Sequence, residues 1–168
     1  MPNTYELITS TTLSSSASTV TLSSIPNTFT DLHLVCSLRS DYSSTTNNAY
    51  AYFNSSDGGR AIFAYGDGST PSSLNINYNE SYIGNINAAT STSNTFSSFS
   101  LYIPNYLSST NKSSSQDSVT ENNATSAFAW LGAREWEYTA AVTSITFRLQ
   151  FSTYAVGSTF YLYGIKKP

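Results

Sequence analysis

The sequence predicts an all-β protein, an antiparallel β-sandwich of jelly-roll type, and three observations carry that expectation. Aromatic residues, chiefly Tyr and Phe, make up 14% of the 168-residue chain, and charged residues only 10%. Ser, Thr and Asn dominate the polar positions, a mixture that suits pleated strands and turns better than helices. Short runs alternate apolar and polar side chains, and no segment keeps a convincing helical period. A chain of this length buries roughly 70% of its unfolded surface without metals or disulfides. Residues 1–168 are therefore expected to form one sandwich domain, with no internal repeat and no linker.

The elements follow in order. YELITS (Tyr5 to Ser10) alternates sides, and a Ser/Thr-rich turn separates it from STVTLSSI, where Val20 and Leu22 share a face. The two are expected to make an opening hairpin. After the break at Pro26 and Asn27, FTDLHLVCSLRS puts Leu32, Leu34, Cys36 and Leu38 on one face and His33, Ser37 and Arg39 on the other, the pattern of a half-buried strand. DYSSTTNN reads as a loop, AYAYFN as a strand, SSDGG as a turn whose glycines take positive φ, and GRAIFAYG as another strand. GDGSTPSS reads as a loop. LNINYNESYIGNI alternates Leu74, Ile76 and Tyr78, with a turn or bulge expected near Asn79. FSSFSLYIP is a strand stopped by Pro104. NYLSSTNKSSSQDSVTENN reads as an exposed excursion with one weak edge strand over residues 115–120. SAFAWLGA is apolar. SITFRLQF sets Ile145, Phe147, Leu149 and Phe151 against Thr146, Arg148 and Gln150, as in a half-buried antiparallel strand. STFYLYGIKKP sets Phe160 and Leu162 against Tyr161 and Tyr163 and is expected to insert as the last strand. About ten short strands without a helix point to a sandwich rather than a ligand-enclosing barrel.

Charge and composition narrow the function. The formal net charge is −3 and the seven Lys and Arg are scattered, so no basic stripe is available for a phosphate backbone and nucleic acid is not an expected partner. MPNTYELITSTTLSSS has neither a basic nor an apolar leader region, and no segment approaches about 20 continuous apolar residues. Neither Sec export nor membrane insertion is expected. Cys36 is the single cysteine, which excludes an internal disulfide and a cysteine-based zinc site. It is expected inside the core with Leu34 and Leu38. The Asn-x-Ser/Thr triplets at Asn54, Asn79, Asn111 and Asn123 would matter only in a secretory pathway.

Catalytic constellations are hard to assemble from these residues. His33 is the only histidine, so any Ser-His-Asp arrangement must use it, and no G-x-S-x-G elbow supplies the serine. Asp57 and Asp67 sit in DGG and DGS turns that do not fit a calcium loop. No helix follows the glycines to complete a phosphate cradle. The sharpest enzymatic reading is a glycosidase pair: Glu135 and Glu137, two residues apart, would lie about 7 Å from each other on one strand face, within the roughly 5 to 9.5 Å that glycoside hydrolysis uses. The structural reading is simpler. Arg134, Trp136 and Tyr138 take the other face, and the carboxylates pair with arginines such as Arg39, Arg60 or Arg148. No catalytic, cofactor-binding or metal-ligating residue is assigned, and the chain is not expected to be an enzyme or to need a cofactor.

Beyond these patterns, the chain resembles small virion-associated structural proteins of tailed phages that infect aquatic bacteria, including cyanophages. The likeness runs nearly end to end, through TYELITSTTL, SSIPNTFTDLHLVCSLRS, FNSSDGGRAIFAYGDGS, FSLYIPNYLSSTNKSSSQDSVTENNATSA, TAAVTSITF and the closing STFYLYGIKKP. The resemblance implies a β-sandwich module of the virion, assembled in the host cytoplasm, that acts as a capsid decoration or cement protein or within the tail or fibre apparatus. It implies no catalytic residues. Its expected partners are the major capsid protein and copies of itself, as a homotrimer, since a threefold interface closes without leaving sticky edges. Low charge with abundant Tyr and Phe also suits a subunit packed against others. The charge cluster around Trp136 supplies the candidate contacts, inter-strand or inter-subunit: Trp136 and Tyr138 as packing anchors, with Arg134, Glu135 and Glu137 setting register. The alternative is a tail or fibre component that grips a host-surface glycan through Tyr, Trp and Asn side chains.

Overall fold

The computed structural model describes residues 4–77, 81–121 and 127–166. Its strands are β1 (Tyr5–Thr12), β2 (Thr19–Leu22), β3 (Asp31–Leu38), β4 (Thr46–Phe53), β5 (Arg60–Gly66), β6 (Pro71–Asn77), β7 (Tyr82–Asn87), β8 (Ser97–Ile103), β9 (Lys112–Val119), β10 (Ala129–Trp136), β11 (Ile145–Leu149) and β12 (Thr159–Ile165). They form two antiparallel sheets, one ordered β1-β12-β3-β8-β9-β10-β5-β6 and the other β2-β11-β4-β7. The pairings nest: β1 with β12, β2 with β11, β3 with β8, β4 with β7. That is one long two-stranded ribbon. It rolls up because β12 also pairs β3 and β11 also pairs β4, which makes the architecture a jelly roll. The hairpin β5–β6 is inserted between β4 and β7, and the hairpin β9–β10 between β8 and β11. Both add to the β8 side of the larger sheet.

Alternation decides which face each strand buries. On β3, Leu32, Leu34, Cys36 and Leu38 are buried while Val35 is exposed and His33 half-buried. Phe99 and Leu101 on β8 and Phe160 and Leu162 on β12 join them, facing Ala49, Ala51 and Phe53 of β4 and Ile145 and Phe147 of β11 in one core. A smaller cluster of Ala61, Phe63, Tyr82 and Trp130 lies under the inserted hairpins.

Several expectations change. β1 and β2 are not a hairpin; they lie in different sheets, and each takes its partner from the C-terminal part of the chain. β4 begins at Thr46 and β6 at Pro71, inside stretches that read as loops, because backbone pairing with β7 and β5 recruits polar residues there. β9 is an eight-residue interior strand between β8 and β10 rather than a weak edge. Its inward residues Lys112, Ser114, Gln116 and Ser118 are all polar and buried. At Ser118 the opposite sheet explains it: β7 comes so close that a Cβ on Gly84, where φ is +121°, would stand 2.6 Å from Ser118 Oγ, and only a small side chain fits at position 118. Phe151 falls past the end of β11 and is exposed, stacked on Tyr42 at 4.9 Å. Thr146 is buried, with its hydroxyl 3.1 Å from that of Thr21 on β2. The bulge expected near Asn79 and the triplets at Asn79 and Asn123 lie outside the described residues.

Candidate functional site

The AREWE segment closes β10, and the two faces of that strand separate its side chains. Arg134 and Trp136 point inward and are 4% and 0% exposed, so neither can touch a partner of the folded chain. Trp136 packs edge-on against Phe53 at 5.0 Å, and Tyr138 stacks on it at 4.9 Å. Arg134 donates to Ala51 O (3.2 Å), Gly58 O (3.2 Å) and Ser81 Oγ (3.1 Å). Ser81 in turn donates to Asp57 Oδ1 at 2.7 Å. Burial pulls the guanidinium down to about 10, with the nearby Asp57 charge opposing that shift; it stays charged at neutral pH. The group is a structural tie between β10, β4 and the turn before β5. Gly59 in that turn has φ +120°, and a Cβ there would stand 1.9 Å from Glu135 O. Only glycine lets the chain enter β5 against β10.

The carboxylates have individual partners. Glu135 accepts from Asn111 Nδ2 at 3.1 Å, and Glu137, just beyond the strand, pairs with Arg60 at 3.4 Å. Arg39 is instead held by the loop between β7 and β8, donating to Thr92 O, Thr95 O, Ala89 O and Ser91 O. Arg148 lies over the Tyr52 ring. Glu135, Glu137 and Tyr138 are the members of the cluster left at the surface. Sequence reasoning missed Lys112, the register partner of Trp136. It is 1% exposed and donates to Ser108 O, Thr110 O and Tyr138 O at 2.7, 2.6 and 3.3 Å, so it fastens the turn before β9 to the end of β10.

The other singled-out residues have local roles. His33 lies on the outer face of the large sheet, its Nδ1 3.0 Å from Tyr5 Oη and its Nε2 3.0 Å from Ser100 Oγ. Burial lowers its pKa below the usual imidazole value, and Asp117 partly offsets that. Asp67 caps its own turn, accepting from the backbone N–H groups of Ser69 and Thr70 and from Ser69 Oγ. These bonds hold its carboxyl down at about 2. Asp57 accepts from Gly58 N as well as from Ser81. Cys36 is buried, and burial pushes its thiol pKa up.

Two surfaces remain without an internal explanation. The first is the outer face of the inserted hairpins. Register places Asp117, Leu131, Ala64 and Ser73 in one row across β9, β10, β5 and β6, with Ser115, Ala133, Ile62 and Asn75 in a second. Val119, Ala129, Gly66 and Pro71 form a third. Ile62 and Leu131 are each 65% exposed and Val119 47%, so an apolar strip runs diagonally across β5, β10 and β9 and faces solvent, bordered at one end by the Arg60–Glu137 pair.

The second surface is a cleft. Eight strands at about 4.8 Å spacing make a sheet about twice as wide as four, so the β5–β6 hairpin overhangs the edge strand β7, whose Tyr82 packs against Phe63 of β5 at 5.3 Å. Trp130 and Tyr65 stack there at 4.1 Å and 8°, and Tyr82 meets Trp130 edge-on at 5.5 Å. Leu74, Ile76 and Phe128 extend this wall, and Asn48, Tyr50 and Asn85 of the smaller sheet form the opposite one, around a cavity of about 510 Å3. Asn48 and Asn85 are cross-strand partners. Asn48 donates to Gln150 Oε1 at 2.8 Å, and Tyr82 Oη donates to Asn85 Oδ1. Among the described residues, neither an Asp, Glu, Lys nor Arg lines the cavity. Trp136, the tryptophan expected to supply a sugar-stacking platform, is in the core and cannot do so.

Comparison with known protein families, with curated proteins and with solved structures finds no match to this chain.

Proposed function

We propose that this chain is a phage virion structural protein, a decoration or cement protein that docks on the assembled shell through the outer face of its inserted hairpins. The observation that carries the proposal is the Ile62–Leu131–Val119 strip on the paired strands β5, β10 and β9. Contiguous exposed apolar surface of this kind, rimmed by polar groups, marks protein–protein contact. The end-to-end likeness to virion-associated proteins supplies the partner: the major capsid protein, with copies of the chain grouped as trimers. Glu135, Glu137, Arg60 and Tyr138 sit at the rim, where charges set orientation more than affinity. The proposed role is structural and not enzymatic. A protein that binds the assembled shell and not its separated subunits stabilises the shell by mass action.

Co-sedimentation tests this. The wild-type protein is expected to pellet with shells stripped of it, and the double variant Ile62→Asp/Leu131→Asp to stay in the supernatant. Both side chains are solvent-exposed, so neither substitution removes a core contact, and burying each apolar side chain contributes roughly 1.5–3 kcal/mol, so losing both should weaken binding about tenfold or more. Free protein is expected at three times the 18.2 kDa chain mass. Failure of the wild type to bind, or unchanged binding by the variant, overturns the docking face.

A further inference from the structure

We propose that the cleft between the overhanging hairpin β5–β6 and the edge of the smaller sheet is a binding site for a neutral oligosaccharide. It rests on its own geometry and holds whichever virion surface the protein occupies.

The argument starts from what the overhang leaves behind. An aromatic cluster that served only as core would be covered on both sides. Here Trp130 is covered, but Tyr65 and Tyr50 are half-buried at the mouth, with half-buried Leu74 beside them. Tyr65 lies face to face on Trp130, so the indole covers one face of Tyr65 and leaves the other as a single-ring platform. Flat aromatic faces suit the C–H faces of pyranose rings, whose hydroxyls project at the ring edges and need donors and acceptors beside the platform. Asn48 and Asn85 supply them. The Asn48 amide is oriented by its bond to Gln150, which commits an N–H and leaves its carbonyl oxygen without a donor among the described residues. Asn85 accepts from Tyr82 and donates to Thr46 Oγ1 at 3.4 Å, so its second N–H has no acceptor among the described residues and can serve a ligand.

Charge selects the ligand class. Among the described residues the cleft is lined by aromatic, aliphatic and amide groups without a charged side chain. An anionic sugar would be desolvated with no cation to meet it, and a cationic ligand with no carboxylate. A purely apolar ligand would leave the amides unpaired. The volume of about 510 Å3 falls within the roughly 300–1,000 Å3 of small-molecule sites.

The test uses the two indole N–H signals of the 15N-labelled full-length protein. Cellohexaose, maltohexaose, laminarihexaose and mannohexaose are titrated to millimolar concentration, with polygalacturonate as the charged control. Saturable movement of the Trp130 indole signal with at least one neutral hexaose, while the Trp136 signal stays in place, is expected. Tyr65→Ala and, separately, Asn48→Ala should each weaken the response by about tenfold or more; the unmoved Trp136 signal reports that the fold is intact, and Asn48→Ala, at a half-exposed position, keeps the test open if Tyr65→Ala unfolds. No movement with any of the four, movement with polygalacturonate alone, or an undiminished response in Asn48→Ala overturns the proposal.

Discussion

At the scale of single residues, Arg134 and His33 show how far environment governs what a side chain can do. Arg134 is a buried cation held by two backbone carbonyls and one hydroxyl, with its nearest carboxylate, Asp57, reached through Ser81. Truncation leaves three acceptors without their donor and opens a cavity. Arg134→Ala is therefore expected to lower stability by about 2–4 kcal/mol in urea unfolding. Lysine cannot reproduce the fork and should recover only part of the loss. A change below about 0.5 kcal/mol for the alanine variant would contradict the role given to this residue. His33 is the sole histidine, so its NMR titration is unambiguous. Burial lowers its folded-state pKa, so the midpoint is expected below 6.5. The sign follows: the unfolded chain takes up the proton first. His33 therefore contributes stability that is complete above pH 6.5 and is lost as pH falls through the folded pKa. A midpoint above 6.5 would show that Asp117 outweighs burial. That Trp136 and Arg134 share the face opposite Glu135 was legible from alternation in AREWE. That this face is the buried one was not, because alternation says which residues share a face and not which face is covered.

At the scale of elements, the molecule is a rolled ribbon carrying two added hairpins, and the two parts differ in how they are held. The roll is packed around one large apolar core. β9 has only polar residues facing inward, and among the described residues Ser114 Oγ, Gln116 Oε1 and Ser118 Oγ are buried without a hydrogen-bond partner. β5 and β6 rest on the small cluster around Trp130. Fewer buried apolar contacts mean cheaper local opening. Amides of β5, β6 and β10 are thus expected to exchange with deuterium faster than those of β3, β8 and β12. Trp130→Ala should widen that difference, costing about 3–5 kcal/mol. Equal protection across the large sheet would contradict the division. The roll was the legible part: β3, β8 and β12 each carry several apolar residues at period two, a pattern that buries itself. β9 was not legible, because SSSQDS has no apolar residue to mark a face and is buried only through the close approach of β7 at Gly84. Nor was the partnering of β1 and β2, since local alternation carries no information about which distant strand completes a sheet.

At the scale of the whole molecule, the insertions change what a jelly roll presents. The four inserted strands widen the larger sheet, and its β5–β6 end reaches past the smaller sheet, giving one broad outer face with an apolar strip and one recess beneath the overhang. The formal charge of −3 spread over few charged residues places little repulsion between copies, which favours dense packing on a surface. The central claim is that the broad face docks on a phage shell, and it is tested most directly by the copy number of the protein in purified virions, measured by quantitative mass spectrometry against the major capsid protein. A ratio near one to one, or a simple fraction of it, is predicted for a protein that covers the shell. A handful of copies per particle, or none, would contradict it.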